Sequence, residues 1–187
     1  MWPVELLGTE YISAPIKYIS RTRGVDPDDY GDLIRFVATE KNTQLYQMRQ
    51  DGTGAFPIGK VLDKGEYHDI VNQEAAAHYR SNKPVLVGQY GKAWRNQVVG
   101  GAKGENPLNP SRNGCGMMLV LAPIDHWTSY TTFKSADNLD NFCYVTFASA
   151  DEPNLVFNGR SFRSFFGSSI KQIAGTNYSY AVKQIPA

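Results

Sequence analysis

The residues best suited to chemistry here are three histidines, two cysteines and a short acidic turn. His68, His78 and His126 share no element at ligand spacing, and no His-Glu-x-x-His run occurs, so no zinc centre is expected. Cys115 and His126 could form a nucleophile–base pair. No glycine-framed elbow and no cysteine-protease signature surrounds Cys115, which leaves a cysteine-dependent hydrolase as the weakest reading carried forward. Cys115 and Cys143 could instead be joined by a disulfide in an oxidising compartment, or stay two buried thiols. Asp26, Asp28, Asp29 and Asp32 gather hard oxygen donors that would suit calcium, and Asp137, Asn138, Asp140 and Asn141 repeat the cluster. Asp and Asn also build turns unaided, and the EF-hand pattern ending in glutamate is missing. The expectation is therefore no cofactor, with calcium as the alternative. Asn177-Tyr178-Ser179 is a glycosylation sequon, read here on a strand. No glycine pattern cradles phosphate, which argues against nucleotides. Trp94, Trp127 and the tyrosines could present a sugar platform, although such residues more often fill a core.

The elements that must hold these residues are strands. Short β-prone runs fall at 11–16, 33–39, 43–48, 83–90, 117–121, 130–133, 142–147, 155–157 and 178–182. Asp51-Gly52, Lys64-Gly65, Asn158-Gly159 and Ala174-Gly175 punctuate them, the pattern of a sandwich or barrel. Only 73–78 has helical composition, enough for a turn or two. Phe36, Leu45, Tyr67, Val85 and Val87 are expected in the core of the first half, and Phe147, Val156 and Tyr178 in that of the second.

The 187 residues carry 19 Lys and Arg against 18 Asp and Glu, with no long run of one sign. Such balance gives no footprint for nucleic acid or an anionic membrane. No apolar run approaches the roughly 20 residues that span a bilayer, so no membrane insertion is expected. The start lacks the basic head and apolar stretch of a signal peptide.

The segment 100–116, with its glycines, prolines and asparagines, reads as a loop or linker between units at 1–99 and 117–187. The flanks share punctuation. The stretch 32–38 matches 141–147, 43–46 matches 153–157, and 62–67 matches 173–178. The fold class expected is all-β: two tandem β-sandwich-like units related by a diverged internal repeat. On this comparison the second unit is incomplete at its C-terminal end, leaving an open edge beside the Tyr178 strand for β-strand addition by a neighbour.

Five motifs occur in order: Leu-Leu-Gly-Thr-Glu-Tyr at 6–11, Ile-Arg-Phe-Val-Ala-Thr at 34–39 with Asn42-Thr43, Leu-Asp-Lys-Gly-Glu-Tyr at 62–67, Ser-Asn-Lys-Pro-Val-Leu-Val at 81–87, and Met-Met-Leu-Val-Leu-Ala-Pro at 117–123. Together they resemble the IgGFc-binding protein N-terminal domain family, over almost the whole chain. The resemblance implies an extracellular or cell-surface β module of large mucin-like and adhesive proteins, with no catalytic residues to transfer. Fc binding itself belongs to few members and is not carried over. The family's Gly-Asp-Pro is Gly114-Cys115-Gly116 here, a departure that touches loop geometry only. The function expected is a structural or adhesive protein-binding module and not an enzyme. Its partners would be other proteins or adjacent domains, and a glycan-binding module is the alternative.

Overall fold

The structure is a computed structural model and describes residues 4–16, 31–91, 117–134 and 141–185. The chain divides into two compact units. The first takes the chain up to Tyr46 and Pro57–Trp127; the second takes Gln47–Phe56 and everything from Thr128.

The first unit is built on β1 (Gly8–Ser13), β2 (Asp32–Ala38), the first part of β3 (Thr43–Met48), the later part of β4 (Ala55–Leu62), β5 (Tyr67–Gln73), β6 (Ala77–Gly91) and β7 (Met117–Val120). They form one sheet in the order β4-β3-β6-β2-β5, with β1 and β7 also on β6. β6 is long enough to pair with several strands along its length. Residues 77–80 and Val85 pair with β1, residues 85–90 with β2 and 88–91 with β7. The turns that follow β2 and precede β5 are tied to neighbouring strands. Thr39 Oγ1 donates to Pro84 O at 2.6 Å, and Gly65 N donates to Ala38 O at 2.8 Å. The sheet is curled, and its strands enclose one core. Phe36 of β2 meets Tyr79 of β6 edge to face, ring centres 5.0 Å apart. Around them lie Tyr11, Ile34, Leu45, Leu62, Val85 and Val87.

Two local devices fix the edges of this unit. Tyr11 Oη accepts from Gly8 N at 2.9 Å and donates to Val85 O at 2.5 Å, closing the register break in β1. Gly31, at φ 76°, backs onto the Asn72–Gln73 backbone. A Cβ there would lie 2.4 Å from the Asn72 carbonyl carbon, so only glycine fits.

The second unit contains β8 (Asn141–Ala148), β9 (Val156–Phe157), β10 (Arg160–Ser161), α1 (Phe162–Phe166), β11 (Ile170–Gln172) and β12 (Tyr178–Ile185). β11-β12-β8 make a three-stranded sheet and β9-β10 a hairpin. The one-turn α1 places Phe162, Phe165 and Phe166 at positions i, i+3 and i+4 of one face. Phe162 stacks on Phe166 at 4.2 Å and meets Phe147 of β8 edge-on at 5.1 Å. Cys143, Ala181 and Ile185 complete this core.

The fold is mostly β, as expected, but several expectations need correction. The strand at 117 does not open a second unit; it pairs with β6, and Leu121 N bonds Val87 O at 2.9 Å. No strand forms at 130–133, an exposed stretch. The expected helical turn at 73–78 is the end of β5 and the start of β6. β4 escaped detection because Pro57 and Gly59 read as loop residues, and both are tolerated on an edge strand. Phe36, Leu45, Val85, Val87 and Phe147 are buried, but Tyr67 and Val156 are exposed and Tyr178 is half-buried. Of the internal repeat, one strand pair recurs: β2 with β5, and β8 with β12, each entered through a turn holding a positive-φ glycine, Gly65 or Gly175. The second unit is otherwise a sheet backed by a helix and not a sandwich. Its Tyr178 strand is central, because β11 supplies a partner at 179–181 and β8 lies on its other side, so the strands at the two ends of this sheet are β11 and β8. The 100–116 segment lies outside the described residues.

Candidate interaction surface

Side chains alternate across a strand, so the core face of β2 defines its other face. Ile34, Phe36 and Ala38 are buried, which turns Leu33, Arg35 and Val37 outward. The pairing register carries that outer face across four strands. Arg35 lies opposite Asp69 on β5 and Gly88 on β6, Val37 opposite Tyr67 and Leu86, and Leu33 opposite Tyr90. Gly88 and Tyr90 lie opposite Val120 and Met118 on β7. The solvent face of an antiparallel sheet is ordinarily polar. This one is apolar and aromatic apart from one central ion pair. Tyr67 is 57 % exposed, Met118 56 % and Val71, further along β5, 61 %.

The ion pair is built rigidly. Arg35 Nε donates to Asp69 Oδ1 at 2.8 Å and Nη2 to Oδ2 at 2.7 Å, the bidentate fork that suits guanidinium and carboxylate. The guanidinium also lies 4.4 Å from the centre of the Tyr67 ring. The hydrogen bonds from Arg35 hold the Asp69 carboxyl below the usual carboxylate range, so the pair stays ionised at neutral pH. On the other flank the Tyr90 ring lies over Gly88. A Cβ on Gly88 would come within 3.1 Å of the ring. Tyrosine, arginine and methionine are enriched at protein interfaces, and a paired arginine between aromatic rings loses little freedom on binding. The arrangement offers a neutral, pre-ordered platform with no nucleophile and no free base at its centre.

The residues singled out in the sequence lie elsewhere. Asp32 is fully buried, and its Oδ2 accepts from Ile16 N at 2.8 Å and Gln89 Nε2 at 2.5 Å. Asp26, Asp28 and Asp29 lie outside the described residues, as do Trp94 and Cys115. Among the described residues no three His, Cys, Asp or Glu side chains gather as a metal site. Cys143 is a buried free thiol whose pKa burial raises. The exposed His126 sets Nδ1 3.1 Å from Leu6 O. His68 packs beside Gly59 of β4. His78 is buried, with Nε2 2.6 Å from Glu10 Oε1, and its burial outweighs that carboxylate and lowers its pKa. Asn177 sits exposed in the bend before β12 and not within the strand; its carbonyl accepts from Ser149 N at 2.8 Å. Trp127 is half-buried. Sequence reasoning missed the Arg35 face, although one signal was present: 33–38 is apolar at both parities except for Arg35, the pattern of a strand covered on both sides.

A family model described as IgGFc binding protein matches residues 1–187, the whole chain. No curated protein and no solved structure matches the chain.

Proposed function

Because the chain belongs to the IgGFc binding protein family, we propose that it is an extracellular protein-binding module of an adhesive or structural assembly, with the outer face of β5-β2-β6-β7 as its contact surface. The observation that carries this reading is the apolar outer face centred on the Arg35–Asp69–Tyr67 cluster, a sheet with apolar residues on both sides. The chemistry of the face supports recognition and not turnover. The chain acts as a rigid scaffold whose partner covers Tyr67, Leu33 and Met118 while the paired Arg35 fixes orientation.

The experiment compares the unmodified chain with Arg35→Glu and Tyr67→Glu, each immobilised and exposed to extracellular fluid. IgG Fc serves as the first purified probe because the family description names it. The reading requires at least one protein that the unmodified chain retains and both face variants release. A glycan retained through other aromatics, or substrate turnover that depends on Cys115 and His126, would replace it.

A further inference from the structure

A two-residue hairpin loop of type I′ needs positive φ at both central residues, which Asn-Gly supplies. The β9-β10 hairpin is built this way. Phe157 lies opposite Arg160, and Asn158 and Gly159 turn between them at φ 49° and 74°. The same dipeptide is chemically labile, because glycine has no Cβ to keep its own nitrogen from the asparagine carboxamide. Asn158, Gly159 and Arg160 are exposed. Among the described residues neither the Asn158 carboxamide nor Gly159 N has a hydrogen-bond partner, and a Cβ on Gly159 would meet no atom within 4 Å. The strands that hold the turn are two residues each, so local opening is easy. The hairpin nevertheless serves the core of the second unit. Phe157 stacks on Phe165 at 4.5 Å and meets Phe166 edge-on at 5.3 Å.

We propose that Asn158 is a self-modifying site: it loses its amide in the folded chain, and the isoaspartate that forms there unlatches the β9-β10 hairpin from the phenylalanine core. Gly159 N gives its proton to solvent base and attacks Asn158 Cγ. The new N–Cγ bond closes a succinimide ring, and the Cγ–Nδ2 bond breaks as ammonia leaves. Water then opens the ring at either carbonyl. Opening at Cγ gives aspartate. Opening at the main-chain carbonyl gives isoaspartate, whose backbone runs through Cβ and Cγ and is one methylene longer. The net exchange is one water in and one ammonia out. Aspartate tolerates the left-handed conformation and keeps the turn. The longer isoaspartate backbone no longer fits a two-residue loop that sets Phe157 opposite Arg160. Phe157 then leaves its place against Phe165 and Phe166. This proposal does not rest on the Arg35 face, and either can fail alone.

Peptide mapping of the folded chain aged in mildly alkaline buffer, with isoaspartyl methyltransferase labelling and amide exchange, tests it. Amide-to-acid conversion is expected at Asn158, part of it labelled as isoaspartate. Asn154 and Asn177, exposed but followed by Leu155 and Tyr178, are expected to stay intact. The same chain unfolded in urea gives the reference, including the other Asn-Gly pair, Asn113-Gly114. Amides over 155–161 are expected to exchange at least about tenfold faster in the isoaspartate fraction. They are expected to stay unchanged in freshly made Asn158→Asp, which adds the charge without the methylene. Asn158 left intact in the folded chain while the unfolded chain converts overturns the proposal. So does isoaspartate at 158 with exchange over 155–161 unchanged, or an Asn158→Asp variant that exchanges as fast as the isoaspartate fraction.

Discussion

Arg35 and Asp69 face each other across β2 and β5 and are joined by two parallel hydrogen bonds, while the guanidinium rests against Tyr67. The contact orders a long side chain before any partner arrives. Because it stands at the surface, its share of folding stability is small. Asp69→Asn is expected to shift stability by no more than about 1 kcal/mol at neutral pH. The folded carboxyl titrates below its unfolded value. The pair's contribution is therefore present above about pH 4 and lost as pH falls through the lower folded value. Urea unfolding from pH 7 to pH 3 should show a shallower acid loss in Asp69→Asn than in the unmodified chain.

Tyr11→Phe removes one hydroxyl that serves two backbone groups, Gly8 N and Val85 O. Both are left without that partner in a buried site, so a loss of about 2 kcal/mol is expected in urea unfolding. A change near zero would mean that the β1 register break is held by other contacts.

His78 titrates below the ordinary histidine value because burial outweighs the nearby Glu10 carboxylate. The unfolded chain therefore takes up the proton first as pH falls. The stability this residue contributes is full above about pH 6.5 and declines as pH drops toward the folded value. His78→Gln should flatten the stability profile in that window. A profile as steep as before would assign the slope to other groups.

Cys143 lies in the phenylalanine core, and burial raises its pKa. In a Cys115→Ser background, a thiol reagent at pH 8 is expected to react at least about a hundredfold more slowly with native than with denatured protein. Equal rates would place the thiol at the surface.

Much of the fold was legible because one parity of a strand was apolar and the other polar. Over 43–46 the third strand buries Thr43 and Leu45 and half-exposes Gln44 and Tyr46, and the sequence shows it. Where both parities are apolar, composition cannot say which side faces the core. Tyr67 and Val156 are expected inward because they sit in the recurring β-prone motifs, yet both lie exposed. The Phe162–Phe166 turn has helical spacing but is too short for periodicity to stand out. The interaction surface was the least legible part. It exists only once register places Asp69 and Gly88 beside Arg35, residues far apart in the chain that no local pattern connects.

The central claim is that the Arg35 face binds protein. Its most direct test is a titration, by surface plasmon resonance, of a protein retained by the unmodified chain against that chain, Arg35→Glu and, as a control on β11, Lys171→Glu. Loss of at least about tenfold in affinity for Arg35→Glu, with Lys171→Glu unchanged, is the predicted result. Equal affinities for all three folded proteins would contradict the claim.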